Sequence, residues 1–376
     1  MNIIVAPDSF KGSLTSIQAA TTMRRAIHSI NHKDNVISKP MADGGEGTVD
    51  ALQSSSDGEQ ITLSCTGPLG EKIETYYAII DGNTAVIEVA NIAGLVQVTE
   101  QERNPDTTTT YGLGEVIRGA LDRGCTSFII GLGGSATNDG GLGMLRALGM
   151  KAWDDNGQEI GIFGKDIRKI NKVSFDKIDR RLSAVSIKVA CDVENPLYGN
   201  NGASAVYGPQ KGATREQVVA YDKAFERFAL IIERQHGEKY HDVAGAGAAG
   251  GLGFALLILG AKLVSGAELV AEAANLKQVI KQADLVITGE GQSDEQTLYG
   301  KAPGYIANLA NAYHVPAILV SGSLTGDQDK LRSQFQGCFS IITSPMTIQE
   351  CMEQAEELLF NQTKQVMHFI HAMQNK

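Results

Sequence analysis

Three glycine-rich turns each carry carboxylates: Asp43 and Glu46 in MADGGEG, Asp139 in SATNDGG, and Glu290 and Asp294 in TGEGQSDEQ. Glycine admits positive φ and brings amide N–H groups close to an oxyanion, while a neighbouring carboxylate can hold a divalent cation directly or through water. These are the parts of a phosphate or nucleotide site. A fourth turn, APDSFKGS, sets Asp8 at the end of an apolar run and Lys11 three residues on, with Gly12 and Ser13 ahead of a helical pattern. A lysine and free amides at a helix start suit a phosphate or a carboxylate, and Asp8 can accept a proton from a hydroxyl.

Other turns offer less specific chemistry. In VACDVENPLYGNNGA, Asp192 follows an apolar run and sits beside Asn195. It can serve as a metal ligand, as a base near a substrate hydroxyl, or as a tie for its own turn. YGPQKGAT presents Gln210 and Lys211, and TLYGKAPG presents Lys301, each suited to an anionic oxygen or to solvent. The densest turn is GLGGSATNDGGLGM, residues 131 to 144, with six glycines around Ser135, Thr137, Asn138 and Asp139.

The elements that must position these turns are short apolar runs: NIIVAPDS, VISKPMADGG, SFIIGLGG, SIKVACD, DLVITGEG, AILVSGS and FSIITS. Continuous apolar runs suit strands buried on both faces. Amphipathic helices follow most of them. After Ser13 to Ser16, for example, Ile17, Ala20, Met23, Ile27 and Ile30 recur at helical spacing behind a Ser/Thr cap. Strand, polar turn, helix, strand is the pattern of an α/β protein, in which ligands bind beyond the carboxyl ends of the strands. Residues 60–98 instead read as an antiparallel meander with GPLG and DGN turns, and a second insertion runs from about 140 to 260. The helical pattern of 347–373 is expected to pack on the sheet formed with residues 1–58.

Totals prune the functional classes. A chain of 376 residues is expected to form two domains, and a net charge of −10 speaks against a nucleic-acid or anionic-membrane surface. Five scattered cysteines without a C-x-x-C pair read as reduced thiols, and the start of the chain lacks a signal-peptide pattern, so the expected location is the cytoplasm. The charge-free stretch 243–261 is rich in Gly and Ala and reads as a turn leading into a buried helix rather than a membrane span. There is no P-loop, no protein-kinase motif set, no H-E-x-x-H and no G-x-S-x-G. GLGGSA with Asp154 downstream offers a dinucleotide-binding alternative, weakened by the poor strand GMKAW before Asp154.

Taken together, NIIVAPDSFKGSLTS, KPMADGGEGT, GLGGSATNDGGLGML, VACDVENPL, GPQKGA, GAAGGLG and ITGEGQSDEQTLYGKAPG, in this order, closely resemble the bacterial glycerate kinase family. The resemblance implies transfer of the γ-phosphoryl group of ATP to D-glycerate with Mg²⁺, giving 2-phosphoglycerate, with the 3-phosphate product left open. The alternatives are a kinase for another small hydroxy acid and a nicotinamide-dependent oxidoreductase. The resemblance also implies a discontinuous flavodoxin-like or Rossmann-like parallel-sheet domain plus a second, smaller mixed α/β domain, with the active site in the interdomain cleft. The expected division is 1–58, 104–132 and 262–376 for the first domain and 59–103 and 133–261 for the second. In this reading Asp8, Lys11 and Asp192 are catalytic, and Asp43, Asp139 and Glu290 hold the metal. Nucleotide and substrate would be bound by Ser9, Gly44, Gly45, Gly133, Gly134, Ser135, Asn138, Gln210, Lys211, Gly289, Gly291 and Lys301. The glycines of 131–143 would wrap the backbone around ligand oxygens.

Overall fold

The computed structural model describes residues 1–56 and 58–374. It divides into two compact units, the first made of Met1–Asp43, Asp50–Asp57 and Ser265–Lys376, the second of Gly44–Val49 and Gly58–Val264.

The first unit is built on a five-stranded parallel sheet in the order Gly337–Ser340, Ala317–Ser321, Leu285–Thr288, Asn2–Val5, Asn35–Ser38. Its central strands are the runs NIIV, LVIT and AILVS; the last two are buried along their whole length. Alternation along a strand explains why they must be apolar throughout. Ile3, Val5, Leu285, Ile287, Ile318 and Val320 pack in one core with Met23 and Ile27 of the helix Ser16–Ile30 and Leu359, Val366 and Met367 of the helix Ala355–Gln374. Ile4, Val286 and Leu319, also buried, point to the opposite face. The expected docking of the C-terminal helix on the sheet of the first residues is therefore observed. The helix Ser16–Ile30 begins at Thr15, whose Oγ1 accepts from Gln18 N while Gln18 Oε1 accepts from Thr15 N, so two otherwise unpaired amides are satisfied.

The second unit carries a six-stranded mixed sheet in the order Lys262–Val264, Ser186–Ala190, Ser127–Gly131, Thr84–Glu88, Lys72–Ile80, Glu59–Thr66. The first four strands are parallel, and the last two add the antiparallel meander that residues 60–98 predict. Here the structure differs from the expected division of the chain. Residues 104–132, expected in the first domain, belong to the second unit, because Ser127–Gly131 pairs with Thr84–Glu88 on one side and Ser186–Ala190 on the other. Lys262–Val264 likewise pairs with Lys188 to Ala190. The second unit is consequently the longer of the two, not the smaller. The glycine-rich stretch before Phe254 enters the buried helix Ala248–Ile258. Among the described residues no helix is long and apolar enough to cross a membrane.

Candidate active site

The carboxyl ends of the first unit's strands open on a pocket of about 670 Å³, lined on its polar side by Asp8, Lys11, Asp43, Glu290, Asp294 and Lys301. Asp8 sits just beyond the strand Asn2–Val5, and its amide donates to Gly289 O at 2.8 Å, which ties this turn to the end of the neighbouring strand Leu285–Thr288. Only glycine fits at 289, since a Cβ there would lie 1.8 Å from the carbonyl oxygen of Val320. The local sequence thus holds two strand ends close enough for their side chains to share one pocket.

Within it, Lys11 Nζ lies 3.4 Å from Asp43 Oδ2. The Lys11 side chain is 82% exposed, so this pair leaves the ammonium open to an anion. Glu290 is held from below: its Oε1 accepts from Ser293 Oγ at 3.0 Å and from Thr297 Oγ1 at 2.7 Å. Its Oε2 faces Lys301 Nζ at 3.7 Å. Asp8 is buried, and its Oδ1 accepts from the Ser9 amide at 2.6 Å. Burial first, and then the negative charge of Asp43 and Glu290, push the Asp8 carboxyl up to about 7, against the opposing pull of the Ser9 amide and Lys11. Asp43, followed by Asp8 and Glu290, raises Lys11 and keeps it cationic.

A carboxyl poised near neutral pH suits a general base, and an exposed lysine beside it suits an anionic substrate. Several carboxylates that repel one another are also the donor set a hard divalent cation relieves. Among the described residues no three His, Cys, Asp or Glu side chains form a ready-made metal cage. A cation held by Asp43 and Glu290 would complete its shell with substrate oxygens and water, the usual habit of Mg²⁺.

The second unit gathers another set of the expected residues, several of them buried and bonded within the unit. Asp139, expected to hold metal, is fully buried. Its Oδ2 accepts from Thr110 N, Thr110 Oγ1 and Gly143 N at 2.9, 2.8 and 3.1 Å, and its Oδ1 accepts from Gly141 N at 3.0 Å. Burial raises this carboxyl while the four donors favour its anion, and the residue ties its loop together. Lys211, expected to meet ligand oxygens, is 2% exposed and donates to Ser135 Oγ at 2.9 Å and Thr137 O at 2.6 Å. Burial lowers it to about 7, offset by Asp139. Asn138 is buried too and donates to Ser204 Oγ.

The glycines of this loop are closely packed as well. A Cβ on Gly133 would lie 2.5 Å from Gly45 Cα, and one on Gly143 would lie 2.3 Å from Thr109 Oγ1 and 2.6 Å from Tyr111 N. Close packing demands glycine at these two positions, on the Gly45 backbone for Gly133 and on Thr109 and the Tyr111 amide for Gly143. Gly44 packs against Ala190, whereas Gly134, Gln210 and Asp192 are exposed.

The first unit's pocket thus gathers Asp8, Ser9, Lys11, Asp43, Glu290, Gly291 and Lys301 of the residues expected from sequence, while the second unit holds Asp139, Asp192, Lys211 and the 131–143 loop. The sequence reading missed an apolar wall of the same pocket formed by Ile341, Ile342, Met346, Ile348 and Met352. The rule that pointed to the other turns covers it as well, because this segment leaves the carboxyl end of the strand Gly337–Ser340.

Known proteins resemble this chain over nearly its whole length. The family model of the glycerate kinase family matches residues 3–371. The chain belongs to the glycerate kinase family. It is 45% identical to the Escherichia coli K12 protein named glycerate 2-kinase, over 94% of either chain. It is 44% identical to the Halalkalibacterium halodurans glycerate kinase, over 95% of either chain. The crystal structure of a Salmonella typhimurium LT2 protein named as a glycerate kinase 2 superposes with a TM-score of 0.91 at 42% identity, covering 100% of both chains. Membership in the glycerate kinase family agrees with what becomes of the dinucleotide alternative. Asp154 is spent in its own turn, its Oδ1 accepting from Asn156 N and Gln158 N, and no helix starts until Leu142, well after GLGGSA.

Proposed function

We propose that this member of the glycerate kinase family phosphorylates D-glycerate at its C2 hydroxyl with ATP, giving 2-phosphoglycerate and ADP. The observation that carries the reading is the convergence of Asp8, Lys11, Asp43, Glu290 and Lys301 at the strand ends of a chain that belongs to this family. The name of the Escherichia coli relative supports the 2-position.

Phosphoryl transfer asks a protein mainly to position its substrates and neutralise charge. Asp8 takes the proton of the attacking C2 hydroxyl. The hydroxyl oxygen forms its bond to the γ-phosphorus as the bond from that phosphorus to the β,γ-bridging oxygen breaks, and ADP leaves with the electron pair. Lys11 neutralises the glycerate carboxylate, which fixes the C2 hydroxyl toward Asp8. Lys301, held near Glu290, meets the transferring phosphoryl group. Ser9 and Gly291 shape the floor between them. Asp43 and Glu290 would hold Mg²⁺, which supplies charge neutralisation to the phosphates when bound. The five cysteines stand as free thiols, in keeping with a protein of the reducing cytoplasm.

Two aspartates compete for the role of base, and their surroundings favour Asp8, buried and raised, over the exposed Asp192. Asp8→Asn is expected to lower kcat by at least about a hundredfold, the scale of general-base catalysis, and Asp192→Asn by less than about tenfold. A steady-state assay of ADP release with D-glycerate decides between them. Near-normal turnover of folded Asp8→Asn protein would remove Asp8 from this role.

A further inference from the structure

The pocket beside Asp8 has a second wall unlike the first. Ile341 and Ile342 end the strand run, Met346 follows, and Ile348 and Met352 stand on the helix Ile348–Glu353. This helix is fixed at its start by Thr347, whose Oγ1 accepts from Glu350 N while its own amide donates to Glu350 Oε2. The wall is continuous with the polar side: Met352 Cε lies 3.4 Å from where a Cβ would stand on Gly12, next to Lys11. Yet Ile348 is 77% exposed and Met352 46% exposed. Apolar side chains held open inside a pocket are costly to hydrate and gain by being covered.

A three-carbon hydroxy acid cannot cover them. It has no apolar face, and it fills only a small part of a pocket of about 670 Å³, a size suited to a much larger ligand. The other substrate of the proposed reaction has the matching polarity, with a flat ring at one end and a polyanion at the other. Isoleucine and methionine side chains pack well on ring faces, the thioether of Met adding an attraction to aromatic edges. Lys301 on the polar side complements the phosphates, while Lys11 is left for the glycerate carboxylate. None of the five wall side chains carries a hydrogen-bond donor.

Resting on the kinase reading above, we propose that the wall of residues 341–352 seats the nucleobase of ATP against Ile348 and Met352, with the phosphates running toward Lys301. The wall grips the ring by its faces.

Photolabelling of the full chain with 8-azido-ATP and Mg²⁺, followed by trypsin digestion and peptide mapping, tests this directly. The segment lies within one tryptic peptide, Ser333 to Lys364. The expected result is label in that peptide, suppressed by excess ATP. Label confined to other peptides, in protein that phosphorylates D-glycerate, overturns the nucleobase assignment and leaves the kinase reading standing. Protein without protectable label and without D-glycerate-dependent ADP release overturns both. In parallel, Ile348→Glu is expected to raise the KM for ATP by at least about tenfold, the scale of losing one ring contact, with little change in the KM for D-glycerate. Phe369→Glu, a change at an exposed apolar residue on the helix Ala355–Gln374, leaves both constants unaltered. An unchanged KM for ATP in folded Ile348→Glu protein counts against the proposal.

Discussion

Asp8 shows how one residue type takes its chemistry from its surroundings. Its carboxyl is raised to about 7 by burial and by Asp43 and Glu290, so the folded protein binds a proton there between about pH 4 and 7 that the unfolded chain has released. The sign follows: more protons bound in the native state means that stability falls as pH rises through this window. Asp8→Asn removes the charge and is therefore expected to be more stable than the parent at pH 8, by at most about 4 kcal/mol, while being a poor catalyst. Thermal unfolding without Mg²⁺ should show the gap opening between pH 4 and pH 8. A variant less stable than the parent at pH 8 would contradict the repulsion described here. The place of Asp8 and Lys11 beyond a strand end was legible in the sequence, because the apolar run NIIVA stops just before them. The tasks of Asp139 and Lys211 were not, since the same residue types in similar glycine-rich turns point inward, and burial is decided by distant partners such as Thr110 and Ser135.

At the scale of elements, apolar runs that end in polar turns identified the strands but not their sheets. SFIIG and LVIT have the same character, yet one lies inside the six-stranded sheet and the other inside the five-stranded one. A doubly buried strand carries no local mark of its neighbours, so residues 104–132 could be placed only by their pairing with Thr84–Glu88 and Ser186–Ala190. The 131–143 loop has a similar lesson. Its polar residues hold the loop to the helix Tyr111–Asp122 and to its own turn through Asp139. Asp139→Ala leaves Thr110 N, Thr110 Oγ1, Gly141 N and Gly143 N without their acceptor. It is expected to destabilise the second unit by about 3–5 kcal/mol, a large loss for one substitution because several buried donors go unsatisfied together. Urea denaturation followed by intrinsic fluorescence reads this. A midpoint within error of the parent would show that the loop does not depend on the carboxylate.

For the molecule as a whole, net charge spoke against nucleic-acid and anionic-membrane surfaces, and the ordered set of seven motifs pointed to the family that the comparisons then established. What no motif conveyed was the amphipathic character of the first unit's pocket, since its apolar wall comes from a segment, 341–352, without glycine or paired carboxylates. In the proposed reaction the chain transfers a phosphoryl group from ATP to the C2 oxygen of D-glycerate. Proton-coupled phosphorus NMR of the reaction with Mg-ATP, run beside L-glycerate and acceptor-free controls, tests it most directly. The expected result is a new phosphomonoester resonance that appears only with D-glycerate and is split by the single C2 proton. Splitting by the two C3 protons, or no product that depends on D-glycerate, would contradict it.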